Sequence, residues 1–270
     1  MTAARQDSLI PTAQYAAARD LKIRDVHVKT VLSKSGIPGV DYCVNPYVGC
    51  SHACRYCYAT FMKRFTGHLD DWGSFVDVKV NAPLVLEKQL ARAARGSVIM
   101  SSVTDPYQPI EEECRITRRC LELLVRNKFP VDILTKSPLV LRDLDLLRGS
   151  RDIEVGITIT TDDESMRQLF EPGAPSIESR FEALKQLHRH DIRTYVFIGP
   201  LLPMNPERLA GMIRDYAGFV MIDRMNYVSK TAALYRNRGI ERWLERKFVD
   251  QVVQKLKREL RETQVHVCQG

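Results

Sequence analysis

No apolar run in this chain approaches the ~18–20 residues that a membrane-crossing helix needs. Residues 1–22, MTAARQDSLIPTAQYAAARDLK, hold no long apolar stretch ahead of a small-residue cleavage site, so no secretory leader is read there. The expectation is a cytoplasmic protein without a membrane partner. Internal repeats, low-complexity tracts and domain linkers are also lacking, which suits one large domain in 270 residues. Cysteine is scarce, with seven in the whole chain, and no two separated pairs of the kind a structural zinc site uses. In a reducing compartment disulfides are disfavoured, so clustered cysteines point to metal binding or catalysis. There is no acidic excess either. Forty Lys and Arg against 33 Asp and Glu give a formal net charge of +7. That balance is compatible with a nucleic-acid partner. The blander reading is stronger, because much of the charge lies in stretches such as ERWLERKFVDQVVQKLKRELRE, where both signs alternate as on a solvated helix face.

What is present is one dense stretch, CVNPYVGCSHACRYCYA, at 43–59. Cys50, Cys54 and Cys57 form C-x3-C-x2-C, a spacing that lets three thiolates converge from one loop. Cys43 lies seven residues upstream of Cys50 and is assigned to the preceding strand. Three cysteines on a four-iron cluster leave one iron open to a substrate or cofactor, which favours a site-differentiated 4Fe–4S cluster over zinc. Tyr56 and Tyr58 flank the third cysteine and can shield a cluster or stack on a bound ring. His52, inside the loop, has poor reach as a ligand. It is read as structural, as are His68, His188 and His190. Cys114 and Cys120, six apart on one helix, are read as packing residues.

Short β-rich runs fall at 40–47, 98–102, 131–135, 153–159, 194–198 and 219–223. Amphipathic stretches separate them at 82–95, 114–128, 138–148, 163–170, 176–190 and 205–216. This alternation predicts an α/β fold with a parallel sheet, a partial (β/α)6 TIM-like barrel. FVDVKVNAP at 75–83 reads as a strand inserted between the first strand and its helix. The division expected is an extension at 1–39, a core at 40–238, and a C-terminal helix and terminal strand at 239–270 that cap the barrel.

Barrel chemistry sits at the C-terminal ends of strands. The residues there are the cysteine loop, Ser101 to Asp105, Thr135 to Ser137, Thr158 to Thr161, Gly199-Pro200 and Asp223 to Tyr227. Lys136 ends an apolar strand, where a rim salt bridge competes with a role as cation for an anionic ligand. Ser102 and Thr104 also fit a turn in which Asp105-Pro106 simply ends the strand. Thr158 and Thr160 alternate with Ile157 and Ile159 and share one face; β-propensity explains them nearly as well. Glu171 and Arg180 flank a helix start that Ser176 can cap, and a structural ion pair is the default reading.

The cysteine motif, with an aromatic residue before its third cysteine, resembles the signature of radical S-adenosylmethionine (SAM) enzymes. NPYVGCSHACRYCYA, SSVTDPYQPIE, ILTKS, VGITITT, FEPGAPSIESR and YVFIGPLLP together resemble the spore-photoproduct-lyase-like branch, over about 40 to 240. The resemblance implies a 4Fe–4S cluster on Cys50, Cys54 and Cys57 whose open iron chelates SAM. Reductive cleavage then gives a 5′-deoxyadenosyl radical that abstracts hydrogen from a nucleic acid, peptide or small molecule. It implies SAM contacts from Tyr56, Ser102, Thr104, Lys136, Thr158, Thr160 and Arg180, and an electron donor such as flavodoxin or ferredoxin. The lyases use a cysteine shortly after the second strand as hydrogen-atom donor. Here Ser102 stands near that position, and its O–H bond is too strong for the task. Another donor is therefore expected (Tyr107, Cys114 or a rim tyrosine), and literal lyase activity is not. The competing classes are a non-catalytic zinc or iron–sulfur protein and a nucleic-acid-binding module of the same fold.

Overall fold

The computed structural model describes residues 21–261 and 263–268; the first 20 residues of the expected N-terminal extension lie outside them. Strands in chain order are β1 (Lys22–Val26), β2 (Leu32–Lys34), β3 (Tyr42–Val44), β4 (Tyr47–Val48), β5 (Phe75–Lys79), β6 (Val98–Met100), β7 (Val131–Thr135), β8 (Ile153–Thr158), β9 (Arg193–Ile198), β10 (Phe219–Ile222) and β11 (Gln264–Val267). β8, IEVGIT, is buried on both faces, as a strand is when helices cover one side and a filled barrel interior the other. The helix Ile116–Arg126 buries Ile116, Cys120, Leu121, Leu123 and Leu124 on one side and turns its arginines outward.

The main sheet has eight strands in the order β11-β10-β9-β8-β7-β6-β3-β2. Every neighbour pair is parallel except the β2 edge, which runs antiparallel to β3. Parallel strands laid down in sequence order wind in one sense, so the helices cover one side and the sheet curls into an open barrel. Its parallel strands number seven rather than six, because β11 pairs with β10. The C-terminal helix Arg246–Glu259 buries Val249, Val252, Val253 and Leu256 in the same core as the barrel helices. β1, β5 and β4 form a separate three-stranded sheet that carries the insertion.

Three expectations shift. The run 40–47 divides at Asn45-Pro46 into β3 and β4, since proline donates no ladder hydrogen bond. The stretch 138–148 becomes a 3-10 turn at Pro138–Asp143 followed by one α-turn at Leu144–Leu147. The helix Val228–Asn237 was not expected; only Thr231 and Tyr235 are buried on it, so its apolar stripe is faint. Inside the barrel, Gly156 leaves room for Tyr195, whose ring would lie 2.2 Å from a β-carbon there. The Tyr195 hydroxyl donates to Asp132 (2.9 Å) and the ring stacks on Phe219 at 4.8 Å. These aromatics form a floor below Phe197, two residues further along β9 on the same face.

Candidate active site

The cysteine loop is fixed from several directions. Gly49 enters it at φ +87, and a β-carbon there would meet the Phe75 carbonyl oxygen at 2.3 Å. The Gly49 carbonyl accepts from the Thr104 hydroxyl (2.6 Å) and the Gln108 amide (3.3 Å). Gln108 also accepts from the Ser51 amide at 3.0 Å. From the other side, Arg55 N donates to Phe170 O (2.9 Å) and Gly173 N to His52 O (3.0 Å). These five hydrogen bonds and the close approach at Gly49 leave little freedom to residues 49–57, which suits a loop that must present three thiols together.

Cys50, Cys54 and Cys57 are free thiols on the wall of one cavity of about 300 Å³. His52, Tyr56, Ser101, Ser102, Asp105, Lys136, Thr158, Phe197, Asp223 and Tyr227 also line it. It opens at the C-terminal ends of the parallel strands, where barrel chemistry is found. Burial pushes the Cys54 thiol up to about 12, against the pull of Lys136. Burial also raises Cys50, helped by Asp105 and by the two other cysteines. For Cys57 burial raises the thiol, and the Ala59 amide, Lys136 and Lys230 oppose it. The three thiols thus lie within electrostatic reach of one another, and a metal must displace their protons. Burial draws the His52 imidazole down to about 4 despite Asp105, whose Oδ2 is 3.4 Å from Nδ1, so this histidine is neutral near pH 7.

Behind the cysteines lies a buried hub at Glu171. It accepts from the Tyr56 hydroxyl, from Thr160 Oγ1 (3.1 Å) and from Arg180 (2.5 Å). Lys136 Nζ stands 4.0 Å away and 5.9 Å from the Tyr56 ring centre. Burial would raise the Glu171 carboxyl, but Arg180, Lys136 and the Tyr56 hydroxyl hold it at about 2. Lys136 keeps its proton: burial opposes the charge, while Cys54 and Glu171 stabilise it. Asp105 anchors the neighbouring strand end, accepting from Thr135 Oγ1 (2.6 Å), Lys136 N (2.8 Å) and Tyr107 N (2.9 Å).

Of the residues expected to contact SAM, Tyr56, Ser102, Thr104, Lys136 and Thr158 line the cavity. Four other expected residues do not. Tyr107 is wholly buried, its hydroxyl donating to Asp143 (3.1 Å), because the Asp105 turn swings it toward the helix layer. Cys114 is buried in the hydrophobic core at the end of the short helix Glu111–Cys114, which Arg115 at φ 50 separates from the helix that carries Cys120, so the two are not on one helix as expected. Neither can act on a group in the cavity. Thr160 lies beyond the end of β8, so strand alternation no longer governs it, and its hydroxyl goes to Glu171. Arg180 is spent on Pro175 O (3.0 Å), Thr158 O (3.2 Å) and Glu171, which makes it the structural partner that its spacing implied. Thr104 lines the cavity but gives its proton to Gly49. Sequence reasoning read His52 as structural and Asp105 as a strand-ending turn; the structure puts both on the cavity wall, His52 at the loop centre and Asp105 at an Asp-Pro strand end.

Among the described residues, no three His, Cys, Asp or Glu side chains are gathered to hold a single ion. A four-iron cluster asks something different, since each thiolate binds its own iron across a wider face. The donor set fits such a group, with three thiols on one wall. Two buried atoms of cavity residues, His52 Nε2 and Ser101 Oγ, are also without a hydrogen-bond partner. Residues 44–216 match the radical SAM superfamily. An uncharacterized protein of Methanocaldococcus jannaschii is 38% identical over 209 residues, 76% of this chain and 78% of that protein. The radical SAM Nalpha-GlyT isomerase of Pseudomonas phage M6 is 25% identical over 160 residues, 58% of this chain and 32% of the isomerase. Spore photoproduct lyase complexed with dinucleoside spore photoproduct superposes with a TM-score of 0.66 at 13% identity, over 99% of this chain and 86% of the lyase. That last likeness is one of fold.

Proposed function

The chain belongs to the radical SAM superfamily, and on that premise we propose that it holds a 4Fe–4S cluster on Cys50, Cys54 and Cys57 and uses SAM to abstract hydrogen from a substrate. The observation that carries this reading is the sharing of one cavity by three free thiols and the Lys136 ammonium. Bound there, the cluster and SAM supply the one-electron cleavage of SAM and the hydrogen abstraction that follows. The chain's own residues bind, orient and exclude water. Lys136 offers a cation to the SAM carboxylate. Ser102 and Thr158 offer polar groups at neighbouring strand ends, and the Tyr56 ring screens the cysteines from solvent. Glu171 and Arg180 act one step back, by holding Tyr56 and Lys136.

Ser102 lines the wall near which the lyases carry their donor cysteine, so literal lyase chemistry is not part of this proposal. Tyr58 takes over from Tyr107 and Cys114 as hydrogen-atom donor. It lines the cavity, and its hydroxyl donates to the Ser102 carbonyl. Tyr58 and Tyr227 are stacked at the mouth, rings 6.3 Å apart, both substantially exposed. Such faces suit a nucleobase, and with the basic net charge they favour nucleic acid among the substrate classes. A cytoplasmic one-electron donor such as flavodoxin or ferredoxin belongs to the same proposal.

The test is anaerobic reconstitution with iron and sulfide. Wild type is expected to be brown with about four irons per chain, and Cys50→Ala, Cys54→Ala and Cys57→Ala each to lose them. Lys136→Met is expected to keep its iron and lose SAM binding. A colourless protein that takes up only zinc would sink the reading.

A further inference from the structure

The helix Val228–Asn237 follows the last cavity-lining loop, and its first turn meets the cysteine loop. Its Lys230 Nζ donates to the Cys57 carbonyl at 2.5 Å and to Thr60 Oγ1 at 2.6 Å. Next to it, Tyr227 stacks on Tyr58, and Lys230 lies 5.3 Å from the Tyr227 ring centre. Two adjacent links thus fasten this helix to the third cysteine. The second fact is charge. Lys136 and Arg180, two further cations near the thiols, both face Glu171, Lys136 at 4.0 Å and Arg180 at 2.5 Å. Lys230 has no carboxylate within ion-pair distance among the described residues, so its charge acts on Cys57 uncompensated.

We propose that Lys230 is a positioning residue that tunes the cluster: its ammonium, hydrogen-bonded to the backbone of Cys57, favours the reduced cluster and raises its reduction potential. This rests on the function proposed above. The step concerned is the entry of one electron from an external one-electron donor, with no proton and no bond made or broken in the protein. Reduction makes the cluster one unit more negative, and potentials follow local charge and hydrogen bonding. A cation on the backbone of one ligand therefore stabilises the reduced form. Lys230 is exposed, so salt screens part of its effect. A purely mechanical latch would behave otherwise: it would govern whether the loop holds iron, and charge would not matter.

The experiment is an EPR-monitored dithionite titration, without SAM, of reconstituted wild type, Lys230→Arg, Lys230→Gln and Thr60→Val, with iron measured in each. The expected result is full iron throughout and a lower potential in Lys230→Gln, by about tenfold in the reduced-to-oxidised ratio (59 mV for one electron). Lys230→Arg and Thr60→Val should stay near wild type, and the gap should narrow at 1 M salt. An unchanged potential in an iron-replete Lys230→Gln overturns the proposal. Iron loss in Lys230→Gln, whatever Lys230→Arg does, overturns it too, in favour of a latch. If wild type itself holds no iron, the failure belongs to the underlying reading of the site.

Discussion

At the scale of single residues, Glu171 is the group on which most of the site leans. Its carboxylate joins Tyr56 of the cysteine loop, Thr160 beyond β8, Arg180 of the next helix and Lys136 at the end of β7. Breaking a buried pair leaves an uncompensated charge, so Glu171→Gln is expected to cost about 3–5 kcal/mol in urea unfolding at pH 7. The pH dependence has a definite sign. The carboxyl is held at about 2 in the folded chain, below its ordinary value of 4.5. Its contribution is therefore complete above about pH 5 and is lost as pH falls toward 2. The stability gap between wild type and Glu171→Gln should shrink over that window; a gap constant from pH 7 to pH 3 would contradict the account. The Glu171–Arg180 pair was legible because both residues flank one helix start. Tyr56 is 115 positions from Glu171, and only the closing of the barrel brings them together.

At the scale of elements, the cysteine loop shows how much of the site a short motif encodes. The spacing of Cys50, Cys54 and Cys57 and the β-α rhythm are local patterns and can be read from the chain. The packing that fixes the loop is not local. Gly49 is needed because β5, an insertion strand, passes its carbonyl 2.3 Å from where a β-carbon would sit. Gly49→Ala is thus expected to lower the thermal midpoint and to reduce iron retention, since the φ of +87 strains any other residue. Wild-type iron content and melting in that variant would mean that the loop tolerates movement. The helix Val228–Asn237 escaped the sequence for a related reason. Half of its ten residues are polar and only Thr231 and Tyr235 are buried, so periodicity is weak, while its links to Tyr58 and Cys57 are tertiary.

At the scale of the molecule, the sheet is an open barrel whose last parallel strand and last helix come from the C-terminal segment. That segment belongs to the core: Leu256 is fully buried, and Leu256→Ala is expected to cost about 2–5 kcal/mol in urea unfolding. A cost below 0.5 kcal/mol would mean that the helix is merely appended. The charges of this helix are partly paired on the surface, Arg224 with Asp250 and Lys255 with Glu207, in keeping with a solvated face. The architecture brings three thiols, a buried ion network and two exposed tyrosines to one end of the barrel, and the central claim is that this end cleaves SAM. The most direct test is anaerobic incubation of the reconstituted chain with SAM and dithionite, with 5′-deoxyadenosine followed by chromatography beside a Cys54→Ala control. The account predicts 5′-deoxyadenosine from wild type and none from the control; equal amounts from both, or none from an iron-replete wild type, would contradict it.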